Sequence, residues 1–354
     1  MPSWQAFDLV NTNLLIKRLK IIGLPLDVIR LIKLWLSKRS FYVEINGVSS
    51  LVVDLIRGTI QGSILGPLLY AIYVSPLFDM IRLTNFADDN FVIRWNRYLE
   101  ALIQDLKKDL ETMTKWLKDS GLKVNESKTE LCLFHRLDSV PISLTLNDIE
   151  IFSKPSMNVL GILFDSKLQW SPQVNQCIKK SLKALHAIRL IKSHFKETEL
   201  KQLVTSNFYS ILYYNSEVWH LPSLNPFLKK QLLSASAKAL YVCTRNIDRS
   251  ISFKNLHKNN LRATPQQFSK YKHSIILFNL YNSQQPPRDW VSLNFNQVLT
   301  SRQTHFEITR EQNYKIGANK ISNRIAILNK QIPLAWLNLS KESFKTKAKL
   351  LFLS

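Results

Sequence analysis

The spacing of apolar residues predicts that this chain begins with helices mixed with strands. Apolar side chains recur at three- and four-residue steps through residues 99–117, a spacing typical of an amphipathic helix. Helices are also predicted over residues 11–22 and 26–38, separated by Gly23-Leu24-Pro25. A further apolar helix is expected to begin at Pro67.

Strand patterns lie between these helices. Residues 41–45 and 51–56 flank Asn46-Gly47, which is a strong hairpin signal. The apolar runs 81–83 and 91–93 predict a second hairpin, with the acidic pair Asp88-Asp89 at its tip. Three further strands are predicted, over residues 131–134, 142–152 and 159–164. Helices mixed with antiparallel hairpins indicate an α+β domain whose sheet carries helices on one face.

From about residue 172 the pattern becomes helical. Helices are predicted over residues 172–193, 197–214 and 226–244. Residues 250–354 are expected to form short helices and loops rich in Asn, Gln, Lys and Pro.

Charge is distributed very unevenly along the chain. Of its 48 basic and 26 acidic residues, residues 167–354 hold 29 and 8, which gives them +21 of the net charge of +22. Such a surplus attracts polyanions and makes their binding salt-dependent, so nucleic acid is the expected partner of this half. For a single cluster such as Lys179-Lys180, a solvated helical surface is the alternative. A membrane surface would require a strongly apolar helical face opposite the lysines, whereas this region mixes in Asn, Gln and Ser.

The spacing of the cysteines and the composition of residues 1–13 indicate where in the cell the protein is expected. The three cysteines form no C-x-x-C pair, which excludes a zinc knuckle and a disulfide framework. Residues 1–13 lack the features of a signal peptide, and the apolar stretch 64–81 is interrupted by Gly66, Pro67, Pro76 and Asp79. We therefore expect an intracellular protein of the cytoplasm or nucleus, without a transmembrane segment.

Two short motifs carry the most specific signal. Residues 58–68 read Gly-Thr-Ile-Gln-Gly-Ser-Ile-Leu-Gly-Pro-Leu, with a Gln of the kind expected to be buried, and residues 86–89 read Phe-Ala-Asp-Asp. Together they resemble the palm of a reverse transcriptase from a jockey-like non-LTR retrotransposon, where G-x-P-Q-G-x-x-L-G-P precedes [FY]-A-D-D. Ala6-Phe7-Asp8, Gly121–Asn125 and Leu160–Asp165 are similar to further family segments in the same order.

The resemblance implies an RNA-directed DNA polymerase that uses an RNA template, a DNA primer, dNTPs and Mg²⁺, with Mn²⁺ as the alternative ion. It assigns metal binding to Asp88 and Asp89, and protonation of the leaving pyrophosphate to Lys128. Nucleotide and template contacts fall to Phe7, Gln61 and Gly62. The same residue types also occur as a solvated acidic turn, a loop lysine, a core phenylalanine and a turn glycine, and these alternatives remain open.

The family arrangement also implies a division of the chain. Residues 1–165 would form a partial palm, 166–249 a helical thumb, and 250–354 a basic helical C-terminal region. Backbone contacts to nucleic acid are expected from the basic residues of the thumb: Lys179, Lys180, Lys183, Lys229 and Lys230.

Two departures from the family pattern affect the expected activity. Four residues before Ala6, where the family has its first catalytic aspartate, this chain has Pro2. Ile60 replaces the proline before Gln61. These departures suggest a truncated or decayed copy without fingers, or a coding sequence begun at a late methionine. The alternatives to an impaired polymerase are a catalytically inactive nucleic-acid-binding remnant and a structural protein at a membrane surface.

Overall fold

The structure, a computed structural model, describes residues 5–135, 141–220, 223–243, 265–282, 295–299, 304–308, 332 and 334–353. These residues fall into two compact units. The first comprises the described residues within Met1–Leu133 and Asp138–Lys154, and the second those within Phe134–Leu137 and Pro155–Ser354.

The first unit mixes helices and short strands. Its helices are α1 (Gln5–Asp8), α2 (Thr12–Ile21), α3 (Leu26–Leu36), α4 (Leu65–Val74), α5 (Leu77–Met80) and α6 (Leu99–Asp119), with a 3₁₀ turn at Glu126–Lys128. Its strands are β1 (Arg39–Phe41), β2 (Glu44–Ile45), β3 (Val48–Ser49), β4 (Val53–Leu55), β5 (Leu83–Phe86), β6 (Asp89–Val92), β7 (Ser143–Leu146) and β8 (Ile149–Phe152).

Helices α2, α3, α4 and α6 supply the core of the first unit. Leu15 and Leu19 of α2 and Tyr73 of α4 are fully buried, and Met113 and Leu117 of α6 pack into the same cluster. These residues repeat at three- and four-residue steps, so the amphipathic pattern of residues 99–117 is confirmed. The predicted helices at 11–22 and 26–38 are also confirmed.

The strands pair antiparallel with near neighbours in the sequence. β1 pairs with β4, β2 with β3, β5 with β6, and β7 with β8. The predicted hairpin at Asn46-Gly47 is confirmed, although residues 42–43 and 50–52 interrupt it. Several large apolar side chains of this hairpin are exposed, among them Ile45 at 66% and Val48 at 73%.

Three strand predictions need correction. Residues 142–152 form a hairpin instead of one strand, because Asn147 and Asp148 both adopt positive φ and reverse the chain. Leu160-Gly161 likewise divides the predicted strand 159–164 between two paired strands. Within 131–134, only an isolated bridge joins Leu131 to Ser153.

The α+β character is confirmed, but a single sheet is not seen among the described residues. Every strand ladder there contains two strands. The turns favour pairing between sequence neighbours, and this local pairing leaves no broad sheet for helices to cover.

The second unit is mainly helical. Its helices are α7 (Ser171–Ile191), α8 (Glu197–Val204), α9 (Ser210–Leu212), α10 (Ser216–Trp219), α11 (Pro226–Cys243), α12 (Pro265–Tyr281), α13 (Leu334–Leu337) and α14 (Lys341–Leu353). A 3₁₀ turn spans Lys192–His194 and a π-helical turn spans Thr205–Tyr209. Its strands are β9 (Ser156–Val159), β10 (Ile162–Asp165), β11 (Phe295–Leu299) and β12 (Thr304–Ile308).

The core of the second unit includes Phe208, Trp219 and Leu232, all fully buried. Helices predicted at 172–193 and 226–244 are confirmed, and the one at 197–214 is interrupted by the π-helical turn and ends at Leu212. The expectation of short helices and loops beyond residue 250 needs correction in part, although α13 is a short helix. α12 has 17 residues, and β11 pairs antiparallel with β12. Other residues of 250–354 lie outside the described part.

No helix within the described part of the chain is long and apolar enough to cross a membrane.

A buried ion pair connects the end of β6 to α6. The Arg94 guanidinium donates to both carboxylate oxygens of Asp109, at 2.5 and 2.7 Å. The Asp109 side chain is only 7% exposed, and its hydrogen bond raises the pKa of Arg94. This pair therefore anchors the chain that leaves the Asp88-Asp89 hairpin.

Replacing Asp109 should destabilise the first unit. Asp109→Asn leaves the Arg94 charge partly buried without its carboxylate, and we expect a loss of about 3 kcal/mol in the free energy of unfolding. Asp27→Asn is the matched control, because the Asp27–Arg30 pair is exposed, and it should change stability by less than about 1 kcal/mol. Equal effects in denaturant titrations would contradict this role for Asp109.

Candidate active site

The Asp88-Asp89 hairpin forms as predicted, with both acids at its tip. Strands β5 and β6 flank a turn in which Ala87 adopts a φ of 53°. The Asn85 side-chain amide donates to the Ala87 carbonyl at 2.8 Å and to the Asn90 side-chain oxygen at 3.0 Å. These bonds shape the turn through the hairpin's own side chains. Asp88 is half-buried and Asp89 is exposed.

The glycine-rich loop is fastened to the segment that follows α1. The Gly58 amide donates to the Val10 carbonyl at 2.8 Å, and the Thr59 amide donates to the Phe7 carbonyl at 2.9 Å. From the other side, the Arg39 guanidinium donates to the Gly58 carbonyl at 2.7 Å. Two segments about 50 residues apart in the sequence are thereby held together.

Gly58 has no room for a side chain. Its φ is +90°, and an added Cβ would lie 2.9 Å from the Asp8 Cα. A glycine permits both the left-handed conformation and the close approach of the two backbones.

Gln61 lies at the rim of the site and is exposed, so the expectation that it is buried was wrong. Its side-chain amide donates to the Asp8 carboxylate at 2.9 Å, and this polar partner keeps the amide at the surface. Gly62 is exposed as well and adopts a φ of +77°.

A cavity of about 290 Å³ joins four of the predicted site residues. It is lined by Phe7, Ile60, Gln61, Gly62, Gly66, Pro67 and Asp88. The lining comes from three separate places: the end of α1, the glycine-rich loop with the start of α4, and the acidic turn. The cavity is thus a place where a carboxylate, an aromatic ring and loop backbone face one ligand-sized space.

Tyr70 is a site residue that the motifs did not reveal. Its ring centroid lies 4.6 Å from that of Phe7, so it supports the cavity wall from α4. Burial, and then the negative charge of Asp88, raise the pKa of Tyr70 to about 12. The sequence did hold a signal for Tyr70. It lies three residues after Pro67 on α4, and residues three apart on a helix share a face.

Asp89 and Lys128 are not among the residues lining this cavity. Desolvation and the charge of Asp88 raise the pKa of Asp89, and the positive charge of Lys128 opposes that shift. Lys128 is exposed at the end of the 3₁₀ turn. It therefore acts electrostatically on the acidic turn without facing the cavity.

The acidic turn fits part of a magnesium site. Mg²⁺ is commonly held by one or two carboxylates, with waters and substrate phosphates completing its shell. Desolvation first, and then the negative charge of Asp88, raise the pKa of Asp89, and a cation bound beside the two acids would oppose both effects. In the described part of the chain, no three His, Cys, Asp or Glu side chains converge on a metal-sized space. Pro2, which stands where the family has its first catalytic aspartate, lies outside the described residues.

The predicted backbone-binding lysines lie on two helices of the second unit. Lys179, Lys180 and Lys183 are exposed on α7, whereas Cys177 and Leu185 of that helix are buried. On α11, Lys230 is exposed and Lys229 is half-buried. Helices α7 and α11 pack against each other.

Comparison with known proteins identifies the first part of the chain. Residues 4–164 match the family described as reverse transcriptase (RNA-dependent DNA polymerase). This match covers 161 of the chain's 354 residues. The segments that suggested the resemblance, from Ala6 to Asp165, lie within this match except for Asp165 itself, so the resemblance is confirmed.

The chain is also similar to curated transposon proteins of Drosophila melanogaster. The chain is 24% identical over 273 residues to the RNA-directed DNA polymerase from mobile element jockey, covering 71% of the chain and 30% of that relative. It is 24% identical over 283 residues to the probable enzyme from transposon BS, covering 75% and 31%. For the probable enzyme from transposon X-element the values are 26% over 235 residues, 61% and 25%. The chain thus spans about a third or less of the length of these relatives.

Substitution of Gly58 should show how tightly the glycine-rich loop packs against the Asp8 backbone. Gly58→Ala introduces both left-handed strain and a clash with the Asp8 backbone. Gly47→Ala is the matched control, because its φ is +79° but no atom lies within 4 Å of an added Cβ. The control should lose about 1–2 kcal/mol of stability, and Gly58→Ala about 1–3 kcal/mol more. Equal losses in the two variants would show that the loop can move away from Asp8.

Proposed function

We propose that this chain contributes the catalytic region of an RNA-directed DNA polymerase from a jockey-like non-LTR retrotransposon. Its substrates would be an RNA template, a DNA primer and dNTPs. The observation that supports this most strongly is the single cavity shared by Phe7, Gln61, Gly62 and Asp88. These residues come from three motifs, and each motif resembles the family pattern apart from the departures at Pro2 and Ile60.

Each cavity residue has a role suited to its chemistry. Phe7, held against Tyr70, would lie beneath the incoming sugar and disfavour a 2′ hydroxyl. Gly62 would let the loop backbone approach the nucleotide, and Gln61 would support the templating pair from a position set by Asp8. Asp88 would hold Mg²⁺ at the cavity wall.

The metal and the neighbouring charges would serve the phosphoryl groups. When bound, Mg²⁺ stabilises the attacking and leaving oxygens of nucleotidyl transfer. Asp89 would add a second carboxylate to the ion's surroundings. Lys128, whose charge already acts on Asp89, would donate a proton to the leaving pyrophosphate.

The division into partial palm (1–165), thumb (166–249) and basic C-terminal region (250–354) belongs to the same proposal. The mixed helices and hairpins of the first unit suit a palm. The exposed lysines of α7 and α11 suit a thumb that follows a nucleic-acid backbone.

Nucleotide binding tests the cavity directly. We expect the 354-residue protein to bind dNTP in a Mg²⁺-dependent manner. Asp88→Asn removes the carboxylate that would hold the ion, and losing electrostatic energy equivalent to one pKa unit would weaken dNTP binding about 10-fold or more. Asp79→Asn is the matched control, because Asp79 is an exposed acid on α5 away from the cavity lining. Unchanged binding in Asp88→Asn, measured by equilibrium dialysis, would refute the nucleotide site.

A second candidate is a catalytically inactive nucleic-acid-binding protein. It is favoured by the charge of +21 in residues 167–354. Primer extension on an RNA template separates the two candidates. Extension by the wild-type chain supports the polymerase, whereas RNA binding without extension supports the inactive protein.

The salt dependence of binding tests the lysines. Each neutralised phosphate releases counterion, so about six contacts would weaken binding roughly 10³-fold over a fourfold rise in salt. Changing Lys179, Lys180, Lys183, Lys229 and Lys230 to Gln should therefore lower both affinity and salt slope. The matched control changes five exposed lysines of the first unit to Gln: Lys17, Lys20, Lys33, Lys107 and Lys108. Equal effects in the two variants, measured by fluorescence anisotropy, would show that only total charge matters.

A further inference from the structure

Two exposed aromatic rings near the acidic hairpin each lie beside an arginine. Trp95 and Tyr98, which follow β6, are 65% and 68% exposed. The Arg82 guanidinium carbon lies 4.2 Å from the Trp95 ring centroid, and that of Arg97 lies 6.0 Å from the Tyr98 ring centroid. We call these four residues the arginine–aromatic surface. It is not part of the cavity lining.

Arginine is frequent in the segment that carries this surface. Residues 90–99 contain two arginines and no acid, and the first acid after them is Glu100. Arg94 pairs with Asp109, whereas Arg82 and Arg97 lie beside the two rings. In a first half whose net charge is only +1, this is a local concentration of arginine.

We propose that the arginine–aromatic surface binds single-stranded nucleic acid by base stacking. Unpaired bases stack on aromatic rings and on guanidinium planes, and arginine also attracts the phosphates. A ring already paired with a guanidinium offers both interactions at one place. A membrane fits less well, because an interfacial segment is usually a helix with a broad apolar face, whereas residues 93–98 lie between β6 and α6.

Position along the chain relates this surface to the candidate active site. Trp95 lies six positions after Asp89, so even an extended chain places the two residues within roughly 20 Å of each other. A bound strand could therefore pass close to the acidic turn. The inference goes beyond the proposed polymerase function, because stacking requires neither metal nor dNTP.

The test uses the complete chain and a fluorescent single-stranded RNA, without Mg²⁺ and dNTP. Titration at raised salt weakens the phosphate contacts and leaves the stacking contribution visible. Trp95→Ala should weaken binding about 5- to 150-fold, the range expected when one base–aromatic stack is lost. Trp95→Phe should retain most of the affinity. Phe152→Ala is the matched control, because Phe152 is 59% exposed in the same unit, and it should bind as the wild type does.

Three results would overturn the proposal. The first is unchanged affinity in Trp95→Ala. The second is a loss that thermal melting attributes entirely to a smaller folded fraction, which would make the Arg82–Trp95 pair a stabilising contact only. The third is that Trp95→Ala weakens binding to anionic phospholipid vesicles but not to RNA. The titration is repeated with Asp88→Asn, which removes the proposed metal ligand. RNA binding through the arginine–aromatic surface should persist in this variant even if the proposed polymerase site fails.

Discussion

The close approach of Gly58 to the backbone of Asp8 is the contact on which the candidate active site depends. It brings the glycine-rich loop against the end of α1, so that Phe7 and Gln61 face the same cavity. The Gly58 and Thr59 amides donate hydrogen bonds to the chain at and after the end of α1, and the Arg39 guanidinium donates to the Gly58 carbonyl. A side chain at residue 58 would force these two backbones apart, so this glycine allows the loop to lie against the end of α1.

The acidic turn is positioned by a different set of interactions. Asn85 and Asn90 bond within the hairpin, and the Arg94–Asp109 pair fixes the chain that leaves it to α6. The polar turn therefore needs few contacts from neighbouring elements to keep its shape. The cavity therefore combines a turn that its own side chains stabilise with a glycine-rich loop that is bonded to Phe7, Val10 and Arg39.

Motifs and periodicity in the sequence predicted some features well and others poorly, for physical reasons. The long helix α6 and the Asp88-Asp89 hairpin followed directly from local patterns, which depend on nearby residues. Tyr70 was missed because its role depends on its packing against Phe7, and the exposure of Gln61 was missed because its partner Asp8 is 53 positions away. The turn at Asn147-Asp148 was overlooked although both residue types tolerate positive φ. β11 and β12 were missed because the composition of this region suggested only loops and helices.

The exposed apolar hairpin of β2 and β3 has a consequence for handling the protein. Ile45 and Val48 project large apolar surfaces into solvent, and Phe41 and Val53 of the flanking β1–β4 ladder are also exposed. Two-stranded ladders leave both outer edges with unpaired backbone groups, which readily pair with edges of other molecules. Exposed apolar surface beside such edges favours self-association. Concentrated preparations should thus be limited by aggregation through this hairpin while the helical core of the same unit is still folded.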